Sequence, residues 1–220
     1  MEASANKSVS VEDLWKKFQE GRYVVMEELF IVLFRDLYTY GMKLLPVREI
    51  VRDTIQDVFA DIWTRREKMY TVEKVRPYLF MSVRHELLKQ IERQKRTSSL
   101  KQTPVSSFEF SMEDFIVREE TQKTTSQLIM KCLQRLTARQ REVILLRFHH
   151  ELKFDEIARV MNMNVQSVRN LLVRALESIR QDKKFLDLTG SNVGFILFQL
   201  FQSFGLSADG HGANKAKLTK

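Results

Sequence analysis

Apolar residues recur three and four positions apart over most of the chain, and no run alternates apolar with polar residues for long enough to make a strand. Leu14 and Phe18 mark a first short helix, opened by Ser10 as its cap with Glu12 and Asp13 in the first turn. After Gly21 the periodicity runs from Val24 to Leu45. Pro46 separates this stretch from a helix over Val47 to about Arg66, with Val51, Ile55, Val58, Phe59 and Ile62 facing inward. Pro77 is placed as the first residue of the next helix, whose buried ridge is Leu79, Val83, Leu87 and Ile91.

Residues 97–125 are rich in Ser and Thr, contain Pro104 and lose the period, which predicts a linker with a short amphipathic piece at Phe108 to Val117. A helix over Ser126 to Leu136 follows. Thr137 and Gln140 match a capping box for another, reaching about Phe148. Phe154 to Met161 reads as a short helix with Phe154, Ile157, Ala158 and Met161 inward. Asn162, Met163 and Asn164 form a turn, with Asn164 capping a last helix from Val165 to about Gln181. The pattern predicts an all-α protein of two small helical domains joined by a flexible linker, the second a helix-turn-helix.

The last helix has a buried stripe of Val165, Val168, Leu172, Ala175, Leu176 and Ile179 at helical spacing. Gln166, Ser167, Asn170 and Arg174 face away from it, with Arg169 on the flank. Such side chains suit hydrogen bonds to bases and phosphates. Leu171 falls near the edge of the stripe and Val173 outside it, so this helix needs an apolar neighbour beyond its own stripe, unless Val173 is a tolerated surface residue.

Charge sharpens this picture. Over 220 residues the net charge is +8, and the excess is uneven: residues 74–96 hold seven basic against two acidic side chains, and 135–184 hold eleven against six. Two separate basic segments point to a polyanion, of which nucleic acid is the commonest. A ridge of Glu49, Asp53, Asp57 and Asp61 runs in the opposite sense along one helix face. The single cysteine, Cys132, excludes an intramolecular disulfide, and no N-terminal signal peptide is visible, so a reducing cytoplasm is the expected location.

Three stretches carry a family resemblance. LTARQREVILLRFHHELKFDEIARVMNMNVQSVRNLLVRALESIRQ resembles region 4 of bacterial RNA polymerase sigma factors of the extracytoplasmic-function class, the domain that binds the −35 promoter element. DTIQDVFADIWTRREKM and VRPYLFMSVRHELLKQIERQKR resemble region 2 of the same class, which binds core polymerase and opens the −10 element. The resemblance implies region 2 at 1–96, a linker at 97–125, region 4 at 126–184 and an extension at 185–220. It implies that Asp53, Gln56, Asp57 and Trp63 dock on polymerase and that Arg84, His85, Lys89, Arg93 and Arg96 contact the −10 region. The loop from Lys68 to Arg76 would hold an unstacked −10 base, and Gln166, Ser167, Arg169, Asn170 and Arg174 would contact the −35 element. Core RNA polymerase, promoter DNA and an anti-sigma factor are the partners it implies.

The competing readings are a stand-alone helix-turn-helix regulator and an enzyme. His149, His150, Glu151 and Asp155 suggest a metal site only weakly, because adjacent histidines project in different directions and no second ligand pair has fitting spacing. No catalytic residue, cofactor or metal is expected. The tail GFILFQLFQSFGL is too short to span a bilayer, so no membrane insertion is expected. Its Phe195, Ile196, Phe198, Leu200, Phe201 and Phe204 need a protein surface: the expectation is a short helix packed on the second domain, where the flank carrying Leu171 and Val173 offers a dock, or across to the first, in a closed form of the free protein, the alternatives being a dimer contact, an anti-sigma docking segment or a disordered end.

Overall fold

The computed structural model describes residues 10–97, Phe108 and 132–180, and every regular element among them is a helix. Four helices come first: α1 (Val11–Gln19), α2 (Val25–Leu44), α3 (Arg48–Thr64) and α4 (Val75–Thr97), with a 3-10 segment at Arg66–Thr71 between the last two. Then come α5 (Ala138–Ile144), continued by a π-helical segment at Leu145–His149, α6 (Phe154–Met161) and α7 (Val165–Arg180). Two compact units are distinguished among the described residues. Residues 10–97, Phe108 and 138–171 form the first, and residues 132–137 and 172–180 belong to the second. The expected domain boundaries near 125 and 184 lie outside the described residues, as does the tail with its proposed docking.

Local chemistry sets the helix ends. The Ser10 hydroxyl accepts from the backbone N–H of Glu12 at 3.2 Å, satisfying one of the donors that a helix start leaves over. The helix expected to begin at Pro77 begins two residues earlier, at Val75. Pro77 is tolerated there because the first-turn N–H groups have no intrahelical acceptor, so a missing donor costs nothing.

In the first unit α4 packs against α1, α2, α3 and α6. Its ridge of Leu79, Val83, Leu87 and Ile91 is buried, as are Val51, Ile55, Val58, Phe59 and Ile62 of α3. Each such side chain contributes about 1.5–3 kcal/mol relative to exposure, before ordering costs. Gly41 lets the helices approach closely: a Cβ there would stand 2.7 Å from Val51 Cγ1 and 3.2 Å from Leu87 Cδ1. Polar bonds from α1 fix the segment before α4. Trp15 Nε1 donates to the Val72 carbonyl at 2.7 Å, and Gln19 Nε2 to the carbonyls of Met69 and Val72 at 2.9 Å each.

Candidate nucleic-acid interface

The turn between α6 and α7 rests on two asparagines. Asn162 adopts the left-handed conformation (φ 50°, ψ 56°), which its short polar side chain tolerates and which ends α6. Two residues on, Asn164 Oδ1 accepts from the backbone N–H of Ser167 at 2.6 Å and starts α7. Glu156 anchors the other end of α6, accepting from the Lys153 N–H at 2.9 Å.

On α7 the side chains expected to face outward do so. Gln166, Arg169, Asn170 and Arg174 are exposed and Ser167 is half-buried. Gln166 Nε2 donates to Asn170 Oδ1 at 2.9 Å, so the two amides are held side by side one turn apart. Arg169 lies over the Phe154 ring at 5.5 Å. The buried stripe departs from expectation at its first member: Val165, in the opening turn, is 37% exposed, whereas Val168, Leu172, Ala175, Leu176 and Ile179 are buried. Phe154 is likewise only half-buried. Leu171 and Val173 are both half-buried, so neither stands as a fully exposed apolar residue.

On α3, Asp53, Gln56 and Asp57 share an exposed face. Asp61 pairs with Arg65 at 2.8 Å. Trp63, 43% exposed, packs edge-on against Tyr23, and Arg66 lies over both rings, 5.1 Å from Trp63 and 5.2 Å from Tyr23. Between α3 and α4 runs an open cleft of about 490 Å³ lined by Asp57, Asp61, His85, Glu86 and Lys89, so the expected polymerase and −10 residues border one groove. A smaller cleft of about 220 Å³ lies beside the loop before α4, walled by Val72, Pro77, Tyr78 and Met81 with Lys74 and Arg159 at its edge.

The expected −10 residues on α4 separate. His85, Lys89 and Arg93 are exposed, and the Arg96 side chain lies outside the described residues. Lys89 donates to Glu86 at 2.8 Å, and that bond, against the opposing effect of burial, holds the Glu86 carboxyl below the usual range. Arg84 differs from all of these. Its Nε donates to Glu142 Oε1 at 2.7 Å, and its side chain is largely buried. Tyr40 Oη donates to the same carboxylate oxygen at 2.7 Å. Burial first, then the Glu142 charge, pushes the Tyr40 hydroxyl well above its ordinary range.

Further ion pairs and one buried ring complete this region. Lys74 pairs with Glu156 at 2.6 Å, a bond that raises the ammonium pKa. Arg76 pairs with Asp36 at 2.6 Å. His150 is 0% exposed, sits 4.7 Å from the Phe80 ring and 6.1 Å from Tyr40, and has no hydrogen-bond partner for either ring nitrogen among the described residues. Burial, helped by His149 and Arg76, lowers its pKa to about 3, so it is neutral. Phe80, a candidate for base stacking by type, is itself core. Among the described residues no group of three or more His, Cys, Asp or Glu is arranged to hold a metal ion, and no helix is long and apolar enough to cross a membrane.

Residues 126–179 match the family model for sigma-70 region 4, over the segment that contains the asparagine-bounded turn and α7. The chain is 18% identical over 157 residues to the ECF RNA polymerase sigma factor SigM of Bacillus subtilis (strain 168), covering 71% of this chain and 94% of that protein. In sequence and fold the chain is thus similar to extracytoplasmic-function sigma factors, with the family match itself confined to residues 126–179. Two solved sigma factors share the fold. RpoE of Bartonella quintana, in complex with the anti-sigma factor NepR, superposes with a TM-score of 0.52 at 17% identity, over 70% of this chain and 94% of that one. CnrH, in complex with the cytosolic domain of CnrY, gives 0.51 at 16% identity, over 78% and 96%.

Proposed function

We propose that this chain is a promoter-specificity subunit: it binds core RNA polymerase, directs it to a class of promoters and helps to open them. The observation that carries the reading is the capped turn leading into α7, with Gln166, Ser167 and Asn170 at its outward N-terminal end, inside the segment matched by the region 4 model. A helix entering the major groove presents its first turns to the base edges. Residues 1–96 then serve as region 2 and 126–184 as region 4, joined by 97–125, with 185–220 as an extension. Asp53, Gln56, Asp57 and Trp63 form the polymerase-facing surface. Arg84, His85, Lys89, Arg93 and Arg96 serve the −10 DNA, and the small cleft beside the loop before α4 receives an unstacked base. Arg169 and Arg174 neutralise phosphates at the −35 element.

On this reading the protein has no chemistry of its own and works in the cytoplasm. An anti-sigma factor is a further partner, since both solved relatives are held by a partner protein in their structures. The deciding experiment mixes the protein with core polymerase and genomic DNA and maps transcription start sites. Shared −35 and −10 motifs upstream are the expected result. Tight, sequence-specific binding to duplex DNA without polymerase, and no new start sites, would instead mark a stand-alone regulator.

A further inference from the structure

The basic stretch at the start of α4 is neutralised from within the chain. Three of its cations sit on carboxylates: Lys74 on Glu156, Arg76 on Asp36, and Arg84 on Glu142. Two of the three acids, Glu142 and Glu156, come from α5 and α6, the elements that lead to the turn before α7. Glu142 is the more committed of the two. Only 4% exposed, it takes Arg84 on both oxygens, at 2.7 and 3.4 Å, and also accepts the Tyr40 hydroxyl. Beside this cluster the neutral His150 ring fills the space against Phe80 and Tyr40.

A guanidinium binds oxyanions through paired N–H groups along its edges, and carboxylate and phosphate compete for the same edge. With its Nε–Nη2 edge on Glu142 and its charge balanced there, Arg84 does not offer that edge to a nucleic-acid phosphate while Glu142 holds it. We propose that Glu142 and Glu156 act as built-in substitutes for DNA phosphates, clamping α5 and α6 onto α4 in the free protein so that Lys74 and Arg84 become available only when residues 138–161 move away. This inference rests on the sigma-factor reading for the identity of the displaced ligand, and on the contacts alone for the clamp. It also assigns a role to Tyr40, which fixes the position of the Glu142 carboxylate without touching DNA.

The test uses the full-length protein and two readouts: the radius of gyration from small-angle scattering, and anisotropy of a fluorescein-labelled single-stranded oligonucleotide of mixed sequence. Glu142→Gln keeps the shape but removes the charge. It is expected to enlarge the free protein and to tighten oligonucleotide binding by about tenfold, the scale of an ordinary two-state bias. Adding Arg84→Ala should abolish the gain. The charge swap Arg84→Glu with Glu142→Arg should return to wild-type dimensions and bind no better than wild type, which keeps the idea testable if Glu142→Gln loses helical structure. An enlarged Glu142→Gln protein that binds no tighter, or a variant unchanged in both readouts, overturns the proposal. Failure of wild-type protein to direct core polymerase to any start site would sink the sigma-factor reading instead, and leaves the scattering result to judge the clamp.

Discussion

Arg84 and Glu142 are 58 residues apart in sequence and 2.7 Å apart in space, and the Tyr40 hydroxyl occupies a third position on the same carboxylate. No buried polar atom of Arg84, Glu142 or Tyr40 is left without a partner, which is the condition under which a buried ion pair is tolerated. Tyr40→Phe removes one hydrogen bond to a charged acceptor and nothing else of the ring. A loss of about 2 kcal/mol in urea unfolding is expected. The cycle with Glu142→Gln should show that the two changes do not add, because they share one carboxylate.

His150 gives a pH dependence with a definite sign. Its pKa falls from 6.5 to about 3 on burial, so the native form excludes a proton that the exposed ring accepts. Stability is therefore complete above about pH 6.5 and declines as the pH falls toward 3, by about 2 kcal/mol between pH 7 and pH 5. Arg76, His149 and Tyr40 are the titratable groups around the ring. Glu86 and Glu156, whose pKa values are lowered, weaken the fold only further into acid, so that window isolates the histidine. In His150→Leu, denaturation curves at pH 7 and pH 5 should nearly coincide; a slope matching wild type would assign the effect elsewhere.

Gly41→Ala tests the closeness of α2 and α3. The added methyl would meet Val51 Cγ1 at 2.7 Å, and both side chains are in a packed core. Overpacking of this kind costs about 1–3 kcal/mol, more than alanine gains over glycine in a helix interior, about 1 kcal/mol. Thermal melts should show a net loss of stability.

On α3, Asp53 and Asp57 are exposed, so reversing both charges should leave the fold intact while weakening a basic partner surface. Asp53→Lys with Asp57→Lys is expected to lower affinity for core polymerase by about tenfold. A folded double variant with wild-type affinity would remove this face from the polymerase-binding surface.

The Gln166–Asn170 pair and Arg174 should behave differently on DNA. Asn170→Ala frees Gln166 and is expected to change base preference at one promoter position by about 1–3 kcal/mol. Arg174→Ala should weaken all promoter variants equally and reduce the salt slope of polymerase-bound complexes by about one. Equal losses on all promoters after Asn170→Ala would make that residue a positioning contact.

Much of this architecture is local in origin and could be read from the chain. The caps at Ser10 and Asn164, the ridges of α3 and α4, and the outward set on α7 each depend on residues within one or two turns of one another. What could not be read is long-range. Periodicity places Arg84 on a helix face but does not say which carboxylate will meet it from 58 residues away. A signal was present nonetheless: Glu142 stands three and four positions before Leu145 and Leu146, a charge on an otherwise buried stripe. Buried charges are almost always paired, so a glutamate at such a position asks for a cation elsewhere in the chain. The π-helical segment at Leu145–His149 also changes the phase of the helix just before His150, so extending the α-helical period cannot forecast the burial of that ring.

Phe108 lies far in sequence from its surroundings, between the end of α4 and the start of α5, yet its ring is buried 6.4 Å from Tyr40. It acts as a rivet that pins this point of the sequence beside α2. This one anchored side chain stands 11 residues after the last residue of α4 and 30 before the first of α5. The entropy of closure grows only with the logarithm of length, and doubling a span costs about 0.6 kcal/mol. Residues inserted between Phe108 and α5 would therefore cost little in closure entropy, whereas loss of the anchored ring would leave a single closure between α4 and α5.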